Sequence, residues 1–288
     1  MSAARVNMPP EPPSLAAHHE RLLLDRHLRD GRALVAAMAL GPGQRVLQLD
    51  GGAGLLAEHL ADVVGADGEV LALDPLPLRV QIAHQRSRHN LRFQVGDTTR
   101  LARFRGASFD AVVANGVLHG WPDVGAALAE CLRLLAPGGC LGLATQSAAH
   151  PHPAERMRDA LLAEPGYADA ALPAEAVARP QTLDALDALL RGAGFAGVSL
   201  RAQPEQFLYA NAQAAIESMQ AGAWGEFLAH LPERRRADAR AEVARRLEAL
   251  RGPDGIRHDA MRIVALAWKP RAQSPSAAQA ATLPEEKR

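Results

Sequence analysis

The stretch Arg45-Val46-Leu47-Gln48-Leu49-Asp50-Gly51-Gly52-Ala53-Gly54 constrains this chain more than any other. Its first half is a short apolar run of the kind that forms a parallel strand buried on both faces. Its second half is a glycine-rich turn, after which Leu56, Leu60, Val63 and Val64 recur at helical spacing. Glycine lets the backbone reverse between strand and helix and lets a ligand come close to it. The helix N-terminus adds backbone N–H groups carrying partial positive charge. The turn therefore reads as a cofactor cradle made by Asp50, Gly51, Gly52 and Gly54.

The pattern continues downstream. Gly65-Ala66-Asp67-Gly68 turns into a second buried strand, Val70-Leu71-Ala72-Leu73, that ends at Asp74 and Pro75. Asp74 lies roughly twenty residues beyond the glycines, a spacing at which a carboxylate reaches ribose hydroxyls. After a further helix, Leu91, Phe93 and Val95 alternate as a third strand ending at Gly96-Asp97-Thr98, and Phe109-Asp110 leads into a fourth, Ala111-Val112-Val113-Ala114. That strand opens onto Asn115-Gly116-Val117-Leu118-His119. A helix with Val124, Leu128, Cys131, Leu132 and Leu135 on one face stops at Pro137-Gly138-Gly139, before a fifth strand from Cys140 to Thr145. Such alternation predicts an α/β fold with a doubly wound sheet, whose ligands lie outside the carboxyl ends of the strands. Asp50, Asp74, Asp97, Asn115 and His119 should converge there.

On either side the pattern is looser. Residues 1–13, with Pro9-Pro10-Glu11-Pro12-Pro13, read as a disordered lead-in. Leu15, Leu22, Leu24 and Leu28 support a helix interrupted by Asp30-Gly31, and Leu34, Val35 and Met38 support a second. Beyond Thr145 the segment to Pro180 is rich in Ala, Pro and His and reads as a loop with a short helix over the crevice. Thr182 caps a helix through Leu190, closed by Gly192 and Gly194, and Val198-Ser199-Leu200 is a sixth strand. Two helical stretches, 212–231 and 233–251, precede a seventh strand from Met261 to Trp268, with a disordered tail at 271–288. The triplet Arg234-Arg235-Arg236 reads as the solvated start of a helix, with a nucleic-acid patch as the alternative. A single domain over 14–270 is expected, with a core at 41–200 and helical lid segments at 14–40 and 205–252.

Composition narrows the partners. The 288 residues carry 32 Lys plus Arg against 32 Asp plus Glu, so no global field draws in nucleic acid or an anionic membrane. The two cysteines, Cys131 and Cys140, sit at apolar positions without metal or redox spacing and read as buried hydrophobes. No metal site is expected. No stretch is long and apolar enough to span a bilayer, and Met1-Ser2-Ala3-Ala4-Arg5 lacks the apolar core of a secretory signal, so a cytoplasmic location is the expectation. The oligomeric state is left open, a dimer being one option.

In order and spacing these elements resemble a class I S-adenosylmethionine-dependent methyltransferase of the small-molecule kind. The resemblance is strong over Arg45–Thr145 and looser over Pro180–Pro270. It rests on the strand and glycine turn, on Asp74, on Gly96-Asp97-Thr98, on Phe109-Asp110 through His119, on Leu135-Ala136-Pro137-Gly138-Gly139 and on Arg191-Gly192-Ala193-Gly194-Phe195. It implies a seven-stranded Rossmann-like sheet, mostly parallel with an antiparallel last strand. It also implies S-adenosylmethionine as cofactor, S-adenosylhomocysteine as product and a small-molecule acceptor. Asp74 is then the ribose acid, and Asp97 and Thr98 meet the adenine.

Two departures stand out. The family usually has an acid at Gln48 and a glycine at Asp50. Either Asp50 supplies the missing negative charge to the cofactor's ammonium or sulfonium, or its side chain crowds the cradle. His119 is the candidate base for an acceptor that must lose a proton, with packing beside the cofactor as the alternative. His150 and His152 read as solvated loop residues with substrate contact as the alternative, and Trp121, Tyr209 and Trp224 as core or as lining for an aromatic acceptor. Two other functions stay open: a nicotinamide-dependent oxidoreductase, because Gly52-Ala53-Gly54-Leu55-Leu56-Ala57 also fits a dinucleotide fingerprint, and a non-catalytic scaffold with a degenerate first motif.

Overall fold

The computed structural model describes residues 27–170, 181–222, 228 and 230–271. The lead-in, Leu15, Leu22, Leu24, Trp224 and the tail beyond residue 271 lie outside the described residues. A helix at 27–37 (α1) comes first. It is followed by β1 (Arg45–Leu49), α2 (Leu55–Val64), β2 (Glu69–Asp74), α3 (Pro77–Ala83), β3 (Leu91–Val95), β4 (Phe109–Asn115), α4 (Val124–Leu134) and β5 (Leu135–Gln146). The second half comprises α5 (Pro153–Leu162), α6 (Leu183–Gly192), β6 (Ala196–Tyr209), α7 (Ala212–Gly222), α8 (Glu233–Glu248) and β7 (Ile256–Trp268).

The seven strands form one sheet in the order β3-β2-β1-β4-β5-β7-β6. β1 to β5 pair in parallel, and β7 runs antiparallel to both β5 and β6. This is the doubly wound arrangement expected from the alternation, with the strand order reversing between β1 and β4. Both faces are covered. Val46, Val70, Ala72 and Val113 pack with α1, α2 and α3 on one face, and Leu47, Leu49, Val112 and Ala114 with α4 and α6 on the other. Covering both faces explains why β1 is apolar without alternation. Among the described residues no helix is long and apolar enough to cross a membrane.

Several boundaries differ from the sequence reading. α1 continues through Asp30-Gly31. Gly31 is there for contact, since a Cβ would stand 2.8 Å from Leu56 Cδ2 and 3.1 Å from Asn115 Nδ2. Leu34, Val35 and Met38, assigned to a lid segment on the sequence, are core residues on the sheet. Burying each contributes roughly 1.5–3 kcal/mol. Leu135 lies past α4, in β5, and Ala136 to Gly139 form an irregularity in its pairing with β4. β6 and β7 are also longer than predicted. β5 ends at Gln146, opposite Arg262, while β6 and β7 remain paired out to Tyr209 and Ile256. Much of that extension is exposed and polar, so it lacks the apolar run that marks a buried strand.

The overhanging antiparallel β6–β7 pair projects from the carboxyl ends of the parallel strands. It supports a third cluster in which Tyr209 and Ile256 pack with Leu161, Ile216, Val243 and Leu247 of α5, α7 and α8. The arginine triplet helps to dock α8 here. Arg235 donates to the Gly166 carbonyl and lies over the Tyr167 ring, and Arg236 donates to the Leu231 carbonyl at 3.1 Å.

Candidate active site

The turn after β1 has the conformation its glycines allow. Gly52 and Gly54 take φ of 56° and 89°, and Asp50 itself takes 51°. Aspartate is one of the few side-chain-bearing residues that adopts this left-handed region. Gly51 N–H donates to the Leu73 carbonyl at 2.8 Å, which continues the β1–β2 pairing into the turn. At Gly54 a Cβ would lie 2.8 Å from the Phe93 ring, so β3 packs directly beneath the turn. α2 starts at Gly54 with no side-chain cap, leaving its first N–H groups to the crevice.

Asp74 is 2% exposed. Its Oδ2 accepts from Gly52 N–H at 2.8 Å and its Oδ1 from Leu76 N–H at 2.9 Å. It therefore pins the glycine turn to the end of β2. Half-buried Pro75 follows it. At the end of β3, Asp97 Oδ1 accepts from Thr99 N–H at 2.8 Å and caps the short 3₁₀ turn Thr98–Arg103, with Thr98 buried.

Asp50 is less expected. Its Oδ2 accepts from the indole N–H of Trp121 at 2.9 Å. Burial pushes its carboxyl up to about 7, the nearby Asp74 and Asp97 adding to the shift and Trp121 and Arg79 opposing it. Gln48 is 4% exposed, and its Oε1 is buried without a hydrogen-bond partner among the described residues. An orphaned buried acceptor is costly, and it marks a place where a donor belongs. Trp121, weighed on sequence as acceptor lining or core, is a buried core residue that also fixes Asp50.

At the end of β4 the geometry ties loops together. Asn115 Nδ2 donates to the His27 carbonyl at 3.1 Å, and its Oδ1 accepts from Arg262 Nη2 at 3.2 Å. Arg262 also donates to the Asp30 carbonyl at 3.0 Å and pairs with the Asp30 carboxylate at 3.4 Å. Asn115 thus joins α1, β4 and β7 at the floor of the crevice. The half-buried His119 follows on the 3₁₀ turn Leu118–Gly120. The sequence reading missed Arg262, yet a charge inside Met261-Arg262-Ile263-Val264 is a signal that a buried partner exists.

On the acceptor side, His150 is exposed, whereas His152 is packed. His152 Nδ1 accepts from Ala154 N–H at 3.1 Å and caps α5. The proton of its neutral ring is then on Nε2, which donates to the Tyr209 hydroxyl at 3.0 Å. Its ring also meets His258, with centroids 5.1 Å apart, and Phe207 stacks on His258 at 5.4 Å. Burial, with His258 adding, pushes His152 down to about 3. The solvated-loop reading of His152 is thereby corrected. Among the described residues no group of three or more His, Cys, Asp or Glu is placed to hold a metal ion.

Comparisons with known proteins agree with this layout. Residues 47–143 match the family described as Methyltransferase domain. The chain is 39% identical over 114 residues to a Ubiquinone biosynthesis O-methyltransferase of Xanthomonas campestris pv. campestris, covering 38% of this chain and 46% of that protein. It is 40% identical over 120 residues to a Demethylmenaquinone methyltransferase of Renibacterium salmoninarum, covering 42% and 48%. The matches thus span about half the length of these relatives. Among solved structures, YcgJ from Bacillus subtilis superposes with a TM-score of 0.61 at 18% identity, over 85% of this chain and 99% of that one, which speaks to the fold alone.

Proposed function

We propose, on the premise that residues 47–143 form a class I methyltransferase domain with a Rossmann-like fold, that this chain transfers a methyl group from S-adenosylmethionine to a small-molecule acceptor, leaving S-adenosylhomocysteine. The observation that carries the reading is the cradle at the ends of β1 and β2. It combines a positive-φ glycine turn, the carboxylate of Asp74, and the orphaned amide oxygen of Gln48. Those groups fit a ligand that has hydroxyls and an ammonium, and they explain a buried acceptor that nothing else in the described chain satisfies.

When bound, S-adenosylmethionine would supply a sulfonium-activated methyl group for transfer to an acceptor lone pair, with the thioether as leaving group. The residues of the chain position and shield. Gly51, Gly52 and Gly54 let the backbone come close, Asp74 and Pro75 would hold the ribose, and Asp97 and Thr98 would hold the adenine. Asn115 acts through the loops it fixes. His119, on the turn just beyond Asn115, is the group offered to an acceptor proton, and the excess proton then passes to solvent. The overhanging β6–β7 pair with α5, α7 and α8 forms the acceptor side, whose packing sets which small molecule fits.

Incubation with methyl-labelled S-adenosylmethionine and a small-molecule extract, alongside demethylated quinone precursors, tests the reading. Label should appear in a small molecule heavier by one methylene unit, and His119→Ala should slow its transfer by about 100-fold at neutral pH if the acceptor needs a base. Label recovered only in protein or nucleic acid, or left wholly in the cofactor, contradicts the proposal.

A further inference from the structure

In the cradle, three carboxylates stand at the ends of β1, β2 and β3, and two of them are already engaged with the backbone. Asp74 holds Gly52 and Leu76, and Asp97 caps its own turn. Asp50 is different. One oxygen accepts from Trp121, and no other bond to its carboxylate is made within the described residues. The charged groups that act on it are Asp74 and Asp97, which repel its negative charge, and Arg79 from α3, which is buried and favours it. Close by, the Gln48 amide stands 3.7 Å from where a Cβ on Gly51 would be, and its buried oxygen has no donor.

We propose that Asp50 makes the cradle selective for a ligand with net positive charge, so that the sulfonium form of the cofactor binds more tightly than the neutral thioether left after transfer. The inference rests on S-adenosylmethionine being the cofactor. A partly buried carboxylate held among like charges is unfavourable until a cation arrives. The sulfonium provides one, and its loss on transfer returns Asp50 to the unfavourable surroundings and loosens the product. The ammonium, present in both molecules, suits Gln48. A glycine would adopt a φ of 51° without strain. Aspartate in that conformation adds a charge, and Trp121 aims it.

Calorimetric titration of the full chain with S-adenosylmethionine and with S-adenosylhomocysteine, in buffers of different ionisation enthalpy, tests this. The wild type should favour S-adenosylmethionine and release protons on binding it near neutral pH. Asp50→Asn should weaken S-adenosylmethionine about tenfold, as expected for a change of about one pKa unit in the coupling, while moving S-adenosylhomocysteine by less than about threefold. Asp50→Gly, which relieves the backbone as well, should equally lose the preference. Equal weakening of both ligands by Asp50→Asn would overturn the proposal, because the carboxylate would then meet the shared ammonium. Tighter binding of both by Asp50→Gly would also overturn it, showing that the side chain obstructs. Binding of neither ligand by folded wild type would instead contradict the functional reading and this inference with it.

Discussion

On the β1–β3 side of the crevice the polar groups are backbone N–H donors and the carboxylates of Asp50, Asp74 and Asp97. On the β6–β7 side they are His152, His258 and Tyr209, packed against Phe207. Burial acts on both sides, pushing Asp50 up to about 7 and His152 down to about 3. The outcomes differ. Asp50 sits among like charges and is poised to gain from a cation, whereas His152 has both ring nitrogens engaged as a neutral structural element. One side is arranged for a charged ligand and the other is a neutral wall. This division suits a cationic cofactor beside an acceptor of separate chemistry.

The seam between the two sides offers the largest effect. Arg262 is 6% exposed and joins Asn115 to α1 through Asp30. Arg262→Met should cost about 3 kcal/mol in denaturant unfolding, because it removes the buried guanidinium that bonds both Asp30 and Asn115. It should also weaken cofactor binding less than it weakens turnover, since the glycine turn is held separately by Asp74. Unchanged stability would show that the two sides are not coupled through this residue.

The pH dependence of stability separates the sides further. The carboxyl of Asp50 lies above its ordinary 3.8 in the fold, so the folded chain holds that proton more firmly than the unfolded one. Its contribution is therefore lost as pH rises from about 4 to about 7, and Asp50→Asn should flatten that fall by on the order of 2 kcal/mol. His152 shifts the other way. With its folded value near 3 and an ordinary value of 6.5, its contribution is lost as pH falls below 6.5. His152→Gln should flatten the acid limb by on the order of 1 kcal/mol, since local opening of the cap limits the penalty. Melting curves across that range check both, and a common response of the two variants would erase the contrast.

The legibility of the sequence follows the same division. Each strand and turn from Arg45 to Gln146 is a local unit, with its polar residue within a few positions of its strand end, so spacing alone placed Asp50, Asp74, Asp97 and His119 on one edge. The neutral wall is assembled from residues 152, 209 and 258, which come together only through the β6–β7 register that sets Phe207 opposite His258. Exposed strand residues such as Arg201 to Pro204 carry no apolar period, which hid the length of the β6–β7 pair. Asn115 was legible as a strand-end polar residue, while its bonds to His27 and Arg262 depend on packing between distant segments. Gly31 misled because a glycine chosen for contact with Leu56 looks the same as one that ends a helix.

The central claim, that the cradle between β1 and β2 holds S-adenosylmethionine, is tested most directly by titrating the full chain with it in a calorimeter and repeating the titration with NADH. One equivalent of S-adenosylmethionine should bind with a dissociation constant in the range of roughly 1–100 μM, with no saturable heat from NADH. Saturable binding of NADH, with none of S-adenosylmethionine at millimolar concentration, would contradict the account.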